Sequence, residues 1–161
     1  MASGTPAEYI QHHLQNLTFG QKMDGTWGFA HGAKEAADMG FMAIHVDTMF
    51  WSIFLGGLFI WFFKKIALSM SVESPSRVQS CVELVVELVD TSAKDTFHGN
   101  NPLIAPLALT VFVWIFLMNA MDMIPVDFIP HAAHLVGIEY MKVVPTTDVN
   151  ATFGMALSIF F

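Results

Sequence analysis

The chain has 161 residues, of which 54% are hydrophobic and 13% are charged, and its formal net charge at pH 7 is −7. Because soluble domains normally carry about a quarter charged residues, this composition favours a membrane protein over a soluble globular domain. The acidic balance argues against a nucleic-acid partner, and the single cysteine excludes an internal disulfide framework or a cysteine metal cluster.

Residues 1–45 form a mixed, polar segment that precedes the first apolar run. A short helix is predicted over residues 9–17, with Thr5 as its N-cap and Pro6 at the first helical position. The rest of the segment is predicted to be loop, because glycines punctuate it repeatedly. These glycines are Gly20, Gly25, Gly28 and Gly32.

Residues 46–70 are predicted to form the first transmembrane helix. The apolar run 49–63, with its flanking residues, reaches the roughly 20 residues that a bilayer crossing needs. Trp51 and Trp61 lie near its ends, where amphipathic rings prefer the membrane interface. Gly56 and Gly57 lie in the middle of the run. They either let a neighbouring helix approach closely or are an incidental weak point.

Residues 71–99 are predicted to form an amphipathic helix, with Ser74 as N-cap, Pro75 at the first helical position and Gly99 at its end. It should lie along the membrane surface or against partner helices. Glu83 and Glu87 are interpreted as a solvated edge rather than a catalytic pair. The apolar stripe consists of Val78, Cys81, Val82, Val85, Leu88, Val89 and Ser92.

Residues 102–121 are predicted to form the second transmembrane helix, with Pro106 in its first turn or so. Asn119, Asp122 and Asp127 follow at its apolar end. Carboxylates at membrane depth are costly enough to suggest a function by default. The end of this helix is therefore a candidate ion or proton path, with Asp127 the weakest member because it lies between two prolines.

Residues 122–150 are predicted to be a loop, because several prolines prevent one continuous helix. His131 and His134 lie three apart in this loop, but no further ligand pair is evident, so no metal site is predicted. Residues 151–161 are predicted to begin a third transmembrane helix. Its roughly 11 residues are too few to cross a bilayer, so we expect a chain that is cut off within this helix.

The basic residues predict the topology. Lys64, Lys65, Arg77 and Lys94 all lie between the two spans, and the positive-inside rule places that connection in the cytoplasm. Residues 1–45 and 122–150 then lie on the opposite, periplasmic side. The predicted fold class is all-α integral membrane, with two complete transmembrane helices, one cytoplasmic amphipathic helix and the start of a third span.

Several stretches closely resemble subunit a of the bacterial F-type ATP synthase, of the proteobacterial kind. They read HGNNPLIAPLALTVFVWIFLMNAMDMIPVDFIP and VVPTTDVNATFGMAL, and the opening residues and first span fit the same pattern. The resemblance implies a non-catalytic stator of the bacterial inner membrane, without a cofactor, beside a ring of c subunits and the b subunits of the peripheral stalk.

The resemblance also implies roles for individual residues. Two offset half-channels in that family carry protons to and from the ring, and five residues match polar positions of the half-channel open to the periplasm. For Asp148 and Asn150, capping of the third helix is an equally good interpretation. The predicted half-channel residues are Asn119, Asp122, Thr147, Asp148 and Asn150.

The sequence departs from the family at its essential arginine, which lies on a long C-terminal helix facing the ring. Arg77 is the one arginine of these 161 residues, and its predicted place in the amphipathic segment rules it out for that role. We therefore expect no proton conduction by this chain alone. The alternatives are a structural or assembly piece of the membrane complex, or a small independent oligomeric channel. An enzyme is least favoured, because no nucleophile–base pair or phosphate loop appears.

Overall fold

The computed structural model describes residues 15–99, 101–124, 129 and 141–160. By contact it divides into two compact units, Met1–Ile53 with Met118–Phe161, and Phe54–Leu117. Short 3-10 helices cover Gly40–Met42, Met121–Met123 and Pro145–Thr147. The strands and α-helices, in chain order, are β1 (Thr18–Gln21), β2 (Trp27–Phe29), α1 (Ala33–Asp38), β3 (Ile44–His45), α2 (Val46–Leu68), α3 (Arg77–Thr96), α4 (Ile104–Ala120) and α5 (Val149–Phe160).

The first unit contains a small antiparallel sheet with strand order β2-β1-β3. This corrects the prediction that the region is loop, while the described residues remain mostly helical, as predicted. Residues 15–17 are not helical either, and the rest of the helix predicted over residues 9–17 lies outside the described residues. Strands of four, three and two residues are too short to produce the alternating pattern that identifies a strand in sequence.

The local structure explains why two positions in this sheet are glycine. Gly25 closes the β1–β2 hairpin with φ 83°, a left-handed conformation that glycine adopts without steric cost. At Gly20, a Cβ atom would lie 3.2 Å from the Cβ of Met39. Met39, which follows α1 and is 7% exposed, therefore packs directly against the backbone of β1.

Two helices are long and apolar enough to cross a membrane. Helix α2 has 23 residues, which at 1.5 Å per residue gives about 35 Å, against about 30 Å of hydrocarbon. The second candidate, Ile104–Met123, comprises α4 and the 3-10 turn that follows it, with a mean hydropathy of 2.0. A core helix of a soluble protein would be mostly buried, whereas 22% and 17% of these two segments are buried within the chain. Their exposed apolar surface suits a lipid environment.

Helix α3 begins two residues later than predicted. The Oγ atom of Ser76 accepts a hydrogen bond of 3.1 Å from the amide of Gln79, so Ser76 is the N-cap and Ser74 is not. The helix ends at Thr96 with Phe97 as C-cap, so the predicted end at Gly99 is also wrong.

The apolar side of α3 packs within the second unit. Val89 is 7% exposed, and Val82 and Val85 line an apolar groove together with Phe59 of α2 and Val113 of α4. The outer members of the predicted stripe are exposed, as are Glu83 and Glu87. The predicted stripe thus faces helices of the same chain, since the exposed Cys81 and Leu88 line the same groove.

The two central glycines of α2 differ in their surroundings. A Cβ atom on Gly56 would lie 3.2 Å from Cε2 of Trp114, whereas a Cβ atom on Gly57 would meet nothing within 4 Å. The sequence left two interpretations open. For Gly56, close approach is the correct one, because the indole ring of Trp114 in α4 lies directly against it. Gly57 has no such role among the described residues.

We expect Gly56→Leu to destabilise the second unit by about 1–3 kcal/mol, because overpacking forces Trp114 out of its position. Gly57→Leu is the matched control, since its side chain enters open space and replaces glycine by a better helix former. Thermal unfolding in detergent, followed by circular dichroism, measures both. Equal melting temperatures for the two variants would contradict the assigned contact.

Candidate functional site

A buried carboxylate joins three chain segments at the start of α2. Asp47 is 1% exposed, and its Oδ2 atom accepts hydrogen bonds of 2.9 Å from the backbone amides of Leu17 and Lys142. Its Oδ1 atom accepts a third bond, of 2.8 Å, from the amide of Thr48. Carboxylate-to-amide bonds of this kind are among the stronger hydrogen bonds in proteins. Asp47 therefore fixes the segment before β1 and the segment before α5 to the first membrane helix.

Asp148 uses both of its carboxylate oxygens. Oδ1 accepts a hydrogen bond of 2.9 Å from the amide of Asn150, and the extended backbone at Asp148 completes an N-cap of α5. Oδ2 accepts from Nδ1 of His45 and from the hydroxyl of Thr48 at 3.3 Å. The side chain thus caps one apolar helix and, through its second oxygen, contacts the start of another.

The amide of Asn16 contacts both His45 and Asp148. Asn16 Nδ2 lies 2.9 Å from His45 Nδ1 and 3.5 Å from Asp148 Oδ2. An amide nitrogen can only donate, so a protonated Nδ1 that donates to Asp148 leaves the Asn16 amide to donate to the same carboxylate. We refer to Asn16, His45, Asp47, Thr48 and Asp148 together as the polar cluster.

Burial of the Asp148 carboxyl, which is 7% exposed, acts to raise its pKa. The hydrogen bond from His45, the Asn150 amide, the charge of His45 and the Thr48 hydroxyl act in the opposite direction and together lower the pKa below its ordinary value. These donors therefore favour the charged form of Asp148.

A second polar contact lies next to this cluster in the same unit. Asn119 occupies the last turn of α4, and its Oδ1 atom accepts a hydrogen bond of 3.1 Å from the hydroxyl of Thr146. Thr146 belongs to the 3-10 helix that leads directly to Asp148. The structure thus brings the end of α4 to the start of α5, through a residue that the sequence interpretation did not select.

The other predicted site residues occupy more open positions. Asp122 is exposed in the 3-10 turn Met121–Met123, and the side chains of Thr147 and Asn150 are exposed on either side of Asp148. Asp127, His131 and His134 lie outside the described residues. Within residues 15–99, 101–124, 129 and 141–160, no three His, Cys, Asp or Glu side chains stand close enough to hold a metal ion.

Sequence reasoning missed four members of the polar cluster: Asn16, His45, Asp47 and Thr48. Three of them stand together as HVDT immediately before the apolar run of α2. Several polar residues directly before an apolar run are a signal that sequence analysis could have used, just as it used the polar residues at the end of α4. Their partner Asp148 lies 103 positions from His45, and no local pattern predicts contacts over such a separation.

The fold and this site define an integral membrane protein whose apolar helices meet at a polar, hydrogen-bonded end. The family model described as ATP synthase A chain matches residues 49–161. The chain therefore belongs to the ATP synthase A chain family, and the resemblance to subunit a is confirmed.

Curated relatives support the same assignment. The chain is 61% identical to ATP synthase subunit a of Marinomonas sp., over 98% of this chain and 59% of the relative. It is 58% identical to ATP synthase subunit a 2 of Hahella chejuensis, over 98% of this chain and 58% of the relative. With subunit a of Thiobacillus denitrificans the identity is 59%, over 96% of this chain and 55% of the relative. The chain thus spans somewhat more than half the length of these relatives.

We expect Asp47→Ala to cost about 3 kcal/mol or more of folding stability, because it leaves several partly buried amides without an acceptor. Asp95→Ala, at an exposed position of α3, is the matched control. Limited proteolysis of the detergent-solubilised chain should show faster cleavage near Leu17 and Lys142 in Asp47→Ala alone. Unchanged cleavage at both segments would show that Asp47 does not hold them.

The Asp148 contacts predict an acid-sensitive contribution to stability. Because the folded-state pKa lies below the ordinary value of 3.8, this contribution is complete above pH 3.8 and is lost as the pH falls through the folded-state pKa. Asp148→Asn retains an N-cap oxygen but not the charge, so its unfolding midpoint should vary less with pH below 3.8 than that of the wild type. Denaturant titrations at several acidic pH values measure this difference, and parallel curves for the two proteins would refute it.

Proposed function

We propose that this chain forms part of subunit a of a proton-translocating F-type ATP synthase in the bacterial inner membrane. In this role it is a non-catalytic stator that contributes one wall of the periplasmic proton half-channel. The family membership supports the assignment to subunit a. The contacts between helix ends support the proposed position of the channel wall.

One observation carries the proposal: polar residues at or next to the ends of three apolar helices lie together in the first unit. Asn119 ends α4, His45 and Asp47 precede the apolar run of α2, and Asp148 begins α5. Ionisable groups beside apolar helices are tolerated where they pair with one another or line a wet cavity. A water-filled mouth at this end accounts for both the pairing and the exposed polar side chains around it.

The residues divide into two roles under this proposal. Asp122, an exposed carboxylate at the end of α4, exchanges protons with water at the mouth, and Asn119 beside it holds that water. Asp148, already satisfied by donors on both oxygens, shapes the opposite wall together with His45. The remaining lining residues are Thr147 and Asn150, whose side chains flank Asp148.

The proposed orientation places residues 1–45 and 122–150 in the periplasm. The charges between the two apolar runs support it, because Lys64 and Lys65 lie near the end of α2 and both Arg77 and Lys94 lie in α3, as the positive-inside rule expects of a cytoplasmic segment. The proposed partners are the c-subunit ring, the b subunits of the peripheral stalk, the surrounding lipid and the translocated proton.

The decisive variant is Asp122→Asn in a subunit a that contains these residues, assembled in its ATP synthase. We expect ATP-driven proton pumping into inverted membrane vesicles to fall on the order of tenfold or more, since a proton-exchanging carboxylate is replaced by a group that cannot titrate. Asp95→Asn removes an exposed carboxylate from α3 instead and should leave pumping unchanged.

Two results would overturn the proposal. Undiminished pumping by assembled Asp122→Asn would remove Asp122 from the path. Proton flux through liposomes that contain these 161 residues alone, abolished by the same substitution, would instead indicate an independent channel. We expect no flux in that second measurement, because the one arginine of the chain lies in α3 and not on a helix facing the ring.

A further inference from the structure

One face of the small sheet exposes a row of apolar side chains beside Gln21, which lies directly opposite Trp27. Phe19 of β1 lies directly opposite Phe29 of β2 and Ile44 of β3, and directly opposed residues share a face. Trp27, two residues before Phe29, lies on the same face. Trp27, Phe29 and Ile44 are 59%, 47% and 49% exposed. We call these four side chains the aromatic face.

The aromatic side chains contact one another before any partner is present. The Phe19 ring lies 5.2 Å from Phe29 in an edge-to-face arrangement and 6.1 Å from Trp27 in a stacked one. These distances are typical of stabilising aromatic pairs. The face is therefore a fixed surface whose side chains need little further ordering on binding, which lowers the entropic cost of docking.

The opposite face of the sheet is already covered. Met39 packs against Gly20 there, and Thr18 on the same side is 3% exposed. Helix α1, which precedes Met39, carries Glu35 in an ion pair of 2.9 Å with Lys22. The sheet thus has one face occupied by its own chain and one apolar face open among the described residues.

The sheet lies next to the start of the first membrane helix. Strand β3 ends at His45 and α2 begins at Val46, and the apolar run begins three residues later, at Met49. Three helical residues rise about 5 Å. The headgroup layer on each side of the hydrocarbon core is about 5–8 Å thick, so covalent continuity keeps the sheet at that layer.

We propose that the aromatic face docks into the interfacial layer of the bilayer that α2 enters. The partner is the lipid surface itself, at the boundary between headgroups and acyl chains. Trp favours this boundary because its ring is apolar and its N–H is polar. The sheet would then act as an interfacial anchor that sets the depth of the α2 start in the membrane.

The chemistry of the aromatic face favours binding to lipid through burial of apolar surface, rather than through attraction between charges. None of its four residues is charged, and the nearby Lys22 is paired with Glu35. Docking should therefore depend little on salt or on the fraction of anionic lipid. This inference goes beyond the proposed function and does not depend on it, because it concerns how the chain contacts lipid and not how protons move.

Depth measurements on spin-labelled protein test the proposal. Cys81 is the single cysteine, so Cys81→Ser gives a background in which Phe29→Cys or Ile44→Cys carries a unique nitroxide. The matched control is Ala37→Cys, at an exposed position of α1. Residue 37 is not part of the aromatic face. In liposomes of phosphatidylethanolamine and phosphatidylglycerol, the ratio of oxygen to water-soluble nickel relaxation should be several-fold higher at positions 29 and 44 than at 37.

A second measurement avoids labels within the sheet. The fluorescence difference between the wild type and Trp27→Phe isolates Trp27, and lipids brominated high on the acyl chain should quench it more than lipids brominated at the chain ends. Equal water accessibility at positions 29, 44 and 37, with no bromolipid quenching of Trp27, would overturn the proposal. Protection at positions 29 and 44 from both relaxation agents would overturn it as well, because a protein partner would then cover the face.

Discussion

The buried carboxylate of Asp47 is the interaction on which the first unit depends. A charge this deeply buried is costly unless several donors surround it, and here three backbone amides do so. Two of those amides come from segments 30 and 95 residues away in sequence. The need to satisfy one carboxylate therefore determines where the chain before β1 and the chain before α5 must lie.

The same arrangement gives Asp148 a second set of contacts besides its capping hydrogen bond. Capping a helix requires one carboxylate oxygen, and the amide of Asn150 occupies Oδ1 alone. Oδ2 remains to accept from His45 and Thr48. Because both oxygens have donors, Asp148 is held more firmly than a proton carrier would need. Asp122, which is exposed, is the better candidate for exchange with water.

The parts of this fold that could be predicted from sequence are those set by local pattern. The two spans follow from runs of apolar residues that only a bilayer or a large core can accommodate, and the amphipathic α3 follows from its three- and four-residue spacing. The cap of α3 was missed because Ser74 and Ser76 both suit the role in sequence, and only the hydrogen bond from the amide of Gln79 to Oγ of Ser76 identifies the cap. The sheet was missed because its strands are too short to show alternation.

The candidate site was predicted unevenly for a related reason. Asn119 and Asp122 stand out because they interrupt an apolar run, whereas His45 and Asp47 precede theirs and read as an ordinary helix start. His45 and Asp47 differ from an ordinary helix start in their hydrogen-bond partners, and those partners come from segments that are distant in sequence. Local sequence can identify a polar residue near a membrane, but the contact that gives it a role depends on tertiary structure.

The polar cluster and the aromatic face make opposite demands on their surroundings, and one location satisfies both. The cluster needs hydrogen-bond donors, which the chain itself supplies, while Phe19, Trp27 and Phe29 favour removal from water. His45 and Ile44 are neighbours in β3 and point to opposite faces of the sheet. A two-residue strand at the start of a membrane helix can therefore direct a polar side chain towards the cluster and an apolar side chain towards lipid. The interfacial layer is where such a strand satisfies both, since water and acyl chains meet there within a few ångströms.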